Sequence, residues 1–286
     1  MTWAKLSERI PLLDDGGQGG FASAAVSSHL RSGADSQSSC GLRTAHAEDL
    51  AITDLTYFID VVDKITNVAS MSEDGTPIPP VSAADADITI GKSRLVNRLC
   101  ESVPEIAVED LLLGSQYWIA KGGISGLPPT DPVLHGEKLV EPAEMVPATK
   151  PFGVGLFTST GVLGTQGMWR IYLDLNRDST LHPRPWHVWS VVPRPGVVVR
   201  EITSATEWVE LVESYPVSTG ELTYPDWSRI AEDVDAVHMT ARAVAATQGL
   251  YFESRRGIVA PTYWGLESTL WLRWSFSDQS LVEVVD

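Results

Sequence analysis

The chain has 286 residues, a formal net charge of −16, 43% hydrophobic and 8% aromatic content. These proportions suit a packed globule, and the acidity opposes broad contact with nucleic-acid phosphate or an anionic membrane, so nucleic acid could enter only through a local basic groove. Two cysteines, Cys40 and Cys100, exclude a disulfide framework and stand in no metal-ligand spacing; no run approaches the roughly eighteen apolar residues that span a bilayer, and the N-terminal "MTWAKLSERIPLLDDGGQGG" lacks the apolar core of a signal peptide. The expectation is a cytoplasmic protein that makes no membrane contact, or one delivered by a signal-independent route.

Residues 16–47 are rich in Gly, Ser and Ala, a composition that buries little apolar area, so a flexible N-terminal segment is expected over 1–47. From Glu48, Leu50, Leu55, Phe58, Ile59, Val62 and Ile65 follow a helical repeat with Asp54, Asp60, Asp63 and Lys64 off that face. The turn-rich "SEDGTPIPPVSAADAD" breaks the helix. A second helix is expected through Ile90, Leu95, Val96, Leu99 and Cys100, ending before Pro104, and "AVEDLLLG" reads as a third. Residues 48–113 thus form a helical module.

Beyond Gly114, strands bounded by Gly and Pro take over: "SQYWIAKGG", "VGLFTST", "PWHVWSVV", "GVVVREI", "DAVHMT", "LESTLWLRW" and "LVEVV". Among them "SATEWVELVESY" is a helix that Ser204 or Thr203 can cap, with Glu207 in the capping-box position, and "YPDWSRIAEDV" starts a shorter one. The expected fold class is α+β, a helical N-terminal module followed by a mixed β-rich domain over 114–286.

Several site motifs fail on inspection. "ITIGKS" ends like a phosphate-binding loop, but Ala86 stands where its first glycine belongs. "DLNRDS" puts Asp174, Asn176 and Asp178 at calcium-loop spacing, with Ser179 in place of the turn glycine and Pro185 in place of the final Glu. His182 and His187 flank "PRPW" without the acid of a zinc helix, and no serine sits in a nucleophile elbow, so no metal and no hydrolase triad are expected. Most of the ten tryptophans read as core, with exposed sugar-stacking rings as the alternative.

Glu267 is different. It stands alone in "PTYWGLESTLWLRW", where an unpartnered carboxylate would cost on the order of 2–5 kcal/mol. Strand alternation sets Glu267, Thr269 and Trp271 on one face. Its bland explanation is an ion pair with Arg273, Lys150 or Arg170.

The order of the pieces, "YWIAKGG", "KPFGVGLFTST", "VVVREITSATEWVELVESYP", "PDWSRIAEDVDAVHMT" and "YWGLESTLWL", resembles the catalytic half of an ADP-ribosyltransferase over residues 114 to 286. The resemblance implies an ADP-ribosyltransferase-like domain that uses NAD as co-substrate to modify a macromolecular acceptor, protein favoured, as a toxin, effector or accessory protein would. Carried onto this sequence, it makes Glu267 the acid that stabilises the ribosyl cation. Phe157 becomes the ring stacked on nicotinamide with Thr158, Ser159 and Thr160 beneath it, and Gly153 and Gly155 the points of close backbone approach. Lys121, followed by Gly122, occupies the first-strand position where the family has His or Arg, and a lysine offers a point charge rather than a fork. The rival reading is a non-catalytic binding or structural protein on the same scaffold; a carbohydrate-binding module is a third.

Overall fold

A computed structural model describes residues 39–69, 79–107, 111–121, 149 and 155–286. Its first helix, α1 (Ser39–Ala69), buries Leu55, Phe58, Ile59 and Val62, while Asp54 takes a two-point ion pair from Arg98 with both contacts at 2.8 Å. The helix starts ahead of Glu48, inside the stretch expected to be flexible. Leu50 is 55% exposed, because Ala51 rather than Leu50 falls four residues before Leu55 on the buried stripe.

The second expected helix is two. α2 (Ala83–Ile90) stops at a Gly91–Lys92 turn, and Ser93 then caps α3 (Arg94–Ser102), its hydroxyl accepting from the Val96 amide at 3.3 Å. The helix expected over "AVEDLLLG" does not take that form: the single turn α4 (Pro104–Ala107) ends where it was to begin, residues 108–110 lie outside the described residues, and Leu112 and Leu113 are exposed.

The rest of the chain runs β1 (Gln116–Ala120), β2 (Leu156–Thr160), α5 (Met168–Leu175), β3 (Trp186–Pro193), β4 (Val199–Ile202) and α6 (Ala205–Ser214). The hairpin of β5 (Pro216–Thr219) and β6 (Leu222–Pro225) comes next, then α7 (Trp227–Asp233), β7 (Ala236–Met239) and α8 (Ala241–Thr247). A second hairpin, β8 (Phe252–Ser254) with β9 (Gly257–Val259), precedes β10 (Ser268–Trp271) and β11 (Phe276–Val285). The protein is α+β. One sheet has seven strands in the order β11-β3-β1-β2-β10-β7-β4, antiparallel throughout except where β4 lies parallel to β7, and a second has the order β5-β6-β9-β8.

Three buried clusters cover the large sheet: Ile119, Leu173, Trp186 and Val188 form one over β1 and β3, and two others meet at its centre. The larger joins the N-terminal helices to the sheet, bringing Leu55, Phe58, Leu99 and Ile106 together with Trp208, Trp227, Trp264, Val237 and Leu270. The smaller holds Trp118, Leu156, Ala236, Trp271 and Phe276. Alternate residues of β10 and β7 belong to different cores, so both strands are buried on both faces. That double burial explains the apolar run around Glu267. Trp186, Trp208, Trp227, Trp264 and Trp271 are wholly enclosed, as expected of core rings.

Candidate functional site

The site begins with strand register. β10 pairs β2 with Thr269 opposite Thr158, so two residues back and two residues on set Glu267 opposite Thr160. On the other side of β10, Thr269 is opposite His238 of β7, and His238 is level with Glu201 of the parallel β4. Four strands therefore converge on one carboxylate.

Glu267 is fully buried and its oxygens are well supplied with donors. Thr160 Oγ1 donates to Oε1 at 2.7 Å, Ser159 Oγ donates to Oε2 at 3.1 Å, and the Thr160 amide reaches both oxygens at 3.3 Å. His238 Nε2 lies 3.1 Å from Oε1, and its other nitrogen, Nδ1, lies 3.0 Å from Glu201 Oε1. Glu201 also accepts the Leu111 amide at 2.8 Å, and its side chain is 25% exposed while that of His238 is 0% exposed. Burial alone would push the His238 pKa down; hydrogen bonds to Glu201 and Glu267, and their charges, outweigh it and hold the ring above the usual histidine value.

Two of the three bland partners expected for Glu267 are occupied elsewhere. Arg170 is held by Asp174 at 2.8 Å and Glu283 at 2.6 Å, Arg273 lies 3.7 Å from Asp235, and Lys150 is outside the described residues. The residue sequence reasoning missed is His238. Its signal was present: a lone histidine in the apolar "DAVHMT" and a lone acid in "LESTLWL" are each costly to bury, and each satisfies the other.

Lys121 directly follows β1, its Nζ 4.9 Å from the centre of the Trp169 ring and against His182 Nδ1. Trp169 stacks on Tyr172 at 5.2 Å, and the His182 ring meets both edge-on. Burial lowers the Lys121 pKa; burial, then the Lys121 charge, lowers that of His182. A lysine Nζ donating to the ring nitrogen of a neutral imidazole fits this contact. This cluster is tied to Glu267 through Ser159, whose hydroxyl also accepts the Trp169 amide at 3.3 Å.

The other expected site residues are dispersed. Phe157 packs on the larger core, edge-on to Trp264 at 5.8 Å, whereas Thr158 leaves β2 on the opposite face, donating to Gln116 Oε1 at 2.6 Å and accepting from Trp271 Nε1 at 2.8 Å. The three hydroxyls therefore do not lie together beneath Phe157. A Cβ on Gly155 would fall 2.2 Å from Leu270 Cδ1, so this glycine serves the packing of β2 on β10. Gly122 and Gly153 lie outside the described residues.

Among the described residues no group of three His, Cys, Asp or Glu side chains is arranged to hold a metal, and no helix is long and apolar enough to cross a membrane. Away from Glu267, an open cleft of about 590 Å³ is lined by Arg200, Arg255 and Arg256 together with Glu210, Glu213 and Ser214. Glu213 is engaged there by Arg255, accepting its amide at 2.7 Å. No protein-family model, curated protein or solved structure matches the chain.

Proposed function

We propose that the protein transfers ADP-ribose from NAD to a macromolecular acceptor, a protein in the favoured case, through an ADP-ribosyltransferase-like domain in which Glu267 is the anion beside the reacting ribose. The observation that supports this reading is the meeting of Glu267 with Ser159 and Thr160 across β2 and β10, with the Trp169 amide on the same Ser159 hydroxyl and Lys121 over the Trp169 ring. In such a reaction the bond from ribose C1′ to the nicotinamide nitrogen breaks, nicotinamide leaves with the electron pair, and an acceptor nucleophile bonds to C1′ and gives up its proton. Positive charge grows on the sugar in between, and a fixed anion is stabilising there more than in the ground state. Lys121 would supply a cation for the diphosphate, held ready by Trp169 and His182.

Labelled NAD, incubated with the protein and a cell extract, should yield free nicotinamide and a labelled macromolecule. Glu267→Gln should cut nicotinamide release by about two to three orders of magnitude while circular dichroism shows the fold retained. Lys121→Ala should weaken NAD binding in calorimetry. An absence of heat, label and nicotinamide release from the wild-type protein would overturn the reading.

One observation favours the second reading, a non-catalytic protein on this scaffold: Glu267 is wholly enclosed and both its oxygens are bonded. In that case the Glu201–His238–Glu267 chain is a clasp across β4, β7, β10 and β2. The same NAD experiment separates the two, because a clasp releases no nicotinamide.

A further inference from the structure

Glu267 ends a line of ionisable groups that reaches the surface. Glu201, His238 and the segment entering β10 lie side by side because β4, β7 and β10 are adjacent strands in register. Both ring nitrogens of His238 face a carboxylate oxygen, at 3.0 and 3.1 Å. A neutral imidazole has one N–H and one lone pair, and a lone pair aimed at a carboxylate oxygen repels it. Either the ring carries two protons or one carboxyl carries the extra one.

The neighbours decide between these. The two oxygens of Glu267 already accept the Thr160 hydroxyl, the Ser159 hydroxyl and the Thr160 amide, a donor set that fits an ionised carboxylate. Glu201 accepts the Leu111 amide and is partly in water, which also favours its anion. Among the described residues Glu201 and Glu267 are the charged groups that act on His238, and its cross-strand neighbour Thr269 is uncharged, its hydroxyl without a hydrogen-bond partner. The proton belongs on the imidazole, giving two anions around one buried cation.

We propose that Glu201, His238 and Glu267 form a charge relay in which Glu201, partly in water, keeps His238 cationic and His238 holds and aims the Glu267 carboxylate, so that pH acting on His238 regulates the site. The proposal rests on the reading of Glu267 as the acid beside the ribose, and it makes Glu201 and His238 positioning residues. Loss of the His238 proton would leave one N–H for two carboxylates and break the line at one end. Activity is therefore present while His238 is charged and lost as pH rises through its titration.

Glu201→Gln is the variant to use, because its side chain is partly exposed whereas a change at His238 strikes the closed interior. Imidazole nitrogen NMR of the full chain should show His238 protonated on both nitrogens at neutral pH, and Glu201→Gln should lower its titration by about one pH unit. In the nicotinamide-release assay the alkaline limb of kcat should move down by the same amount, about tenfold less turnover above the limb, with KM for NAD unchanged. A singly protonated ring at neutral pH, or a titration that Glu201→Gln does not move, overturns the relay whether or not the protein turns over NAD. A doubly protonated His238 in a wild-type protein that releases no nicotinamide overturns instead the functional reading and, with it, the relay's part in catalysis.

Discussion

Thr160 does more for Glu267 than Ser159 does. It meets the carboxylate through a hydroxyl at 2.7 Å and an amide at 3.3 Å, and the same hydroxyl oxygen accepts Gln116 Nε2 at 3.0 Å. Thr160→Val keeps the shape and removes both hydroxyl bonds, leaving a buried carboxylate short of its nearest donor, which should cost about 2–3 kcal/mol. Ser159→Ala loses a longer bond to Glu267 and should cost about 1 kcal/mol. Urea midpoints at constant slope would rank the two, and a larger effect for Ser159→Ala would show that Thr160 is not the main support. Gly167 guards the same spot from outside: its φ is 88° and a Cβ would fall 2.7 Å from Thr160 O and 2.8 Å from Ser159 Cβ. Gly167→Ala should therefore push α5 off β2 and destabilise the fold by more than about 1 kcal/mol, read as a lower melting temperature.

The start of α6 shows what a single element can and cannot reveal about itself. Ser204 Oγ accepts the Glu207 amide at 3.1 Å as its spacing announces, but the Glu207 carboxylate reaches one residue further back than a capping box does, accepting the Thr203 amide at 2.6 Å and hydroxyl at 2.9 Å. A second acid completes the end: Asp87 of α2 accepts the Ala205 and Thr206 amides at 2.7 and 3.0 Å and the Thr206 hydroxyl at 2.6 Å. Asp87→Ala should destabilise the protein by about 1–2 kcal/mol, at least as much as the roughly 1 kcal/mol expected of Ser204→Ala, because it also removes an anion from a helix N-terminus. Denaturant titration of both variants would check the order. Ser204 and Glu207 were legible because a cap is a local matter. Asp87, like His238, acts across more than a hundred residues or between strands whose neighbours only the sheet order defines, and no spacing announces it. The β2–β10 adjacency, too, is set by the sheet order and by no local spacing. The split at Gly91 was hidden because Ile90 and Leu95 both bury, as they would on one helix.

At the scale of the whole molecule two electrostatic effects act in the same direction and can be separated. A formal charge of −16 on 286 residues repels itself, and that repulsion grows as the surface loses protons with rising pH. The charges are mostly at the surface, so salt weakens their effect as the Debye length falls from about 30 Å at 0.01 M to about 8 Å at 0.15 M. His238 is enclosed, and screening hardly touches it. Its folded pKa is raised, so its contribution to stability is complete below the unfolded value of about 6.5 and is lost as pH rises through the folded value. Urea midpoints measured from about pH 6 to about pH 9 should therefore fall steeply at low salt and less steeply at 0.15 M. The part that salt leaves behind belongs to the buried imidazolium, and Glu201→Gln should move it to lower pH. If added salt abolished the whole slope, surface repulsion alone would account for the pH dependence, and the cation between Glu201 and Glu267 would not be there.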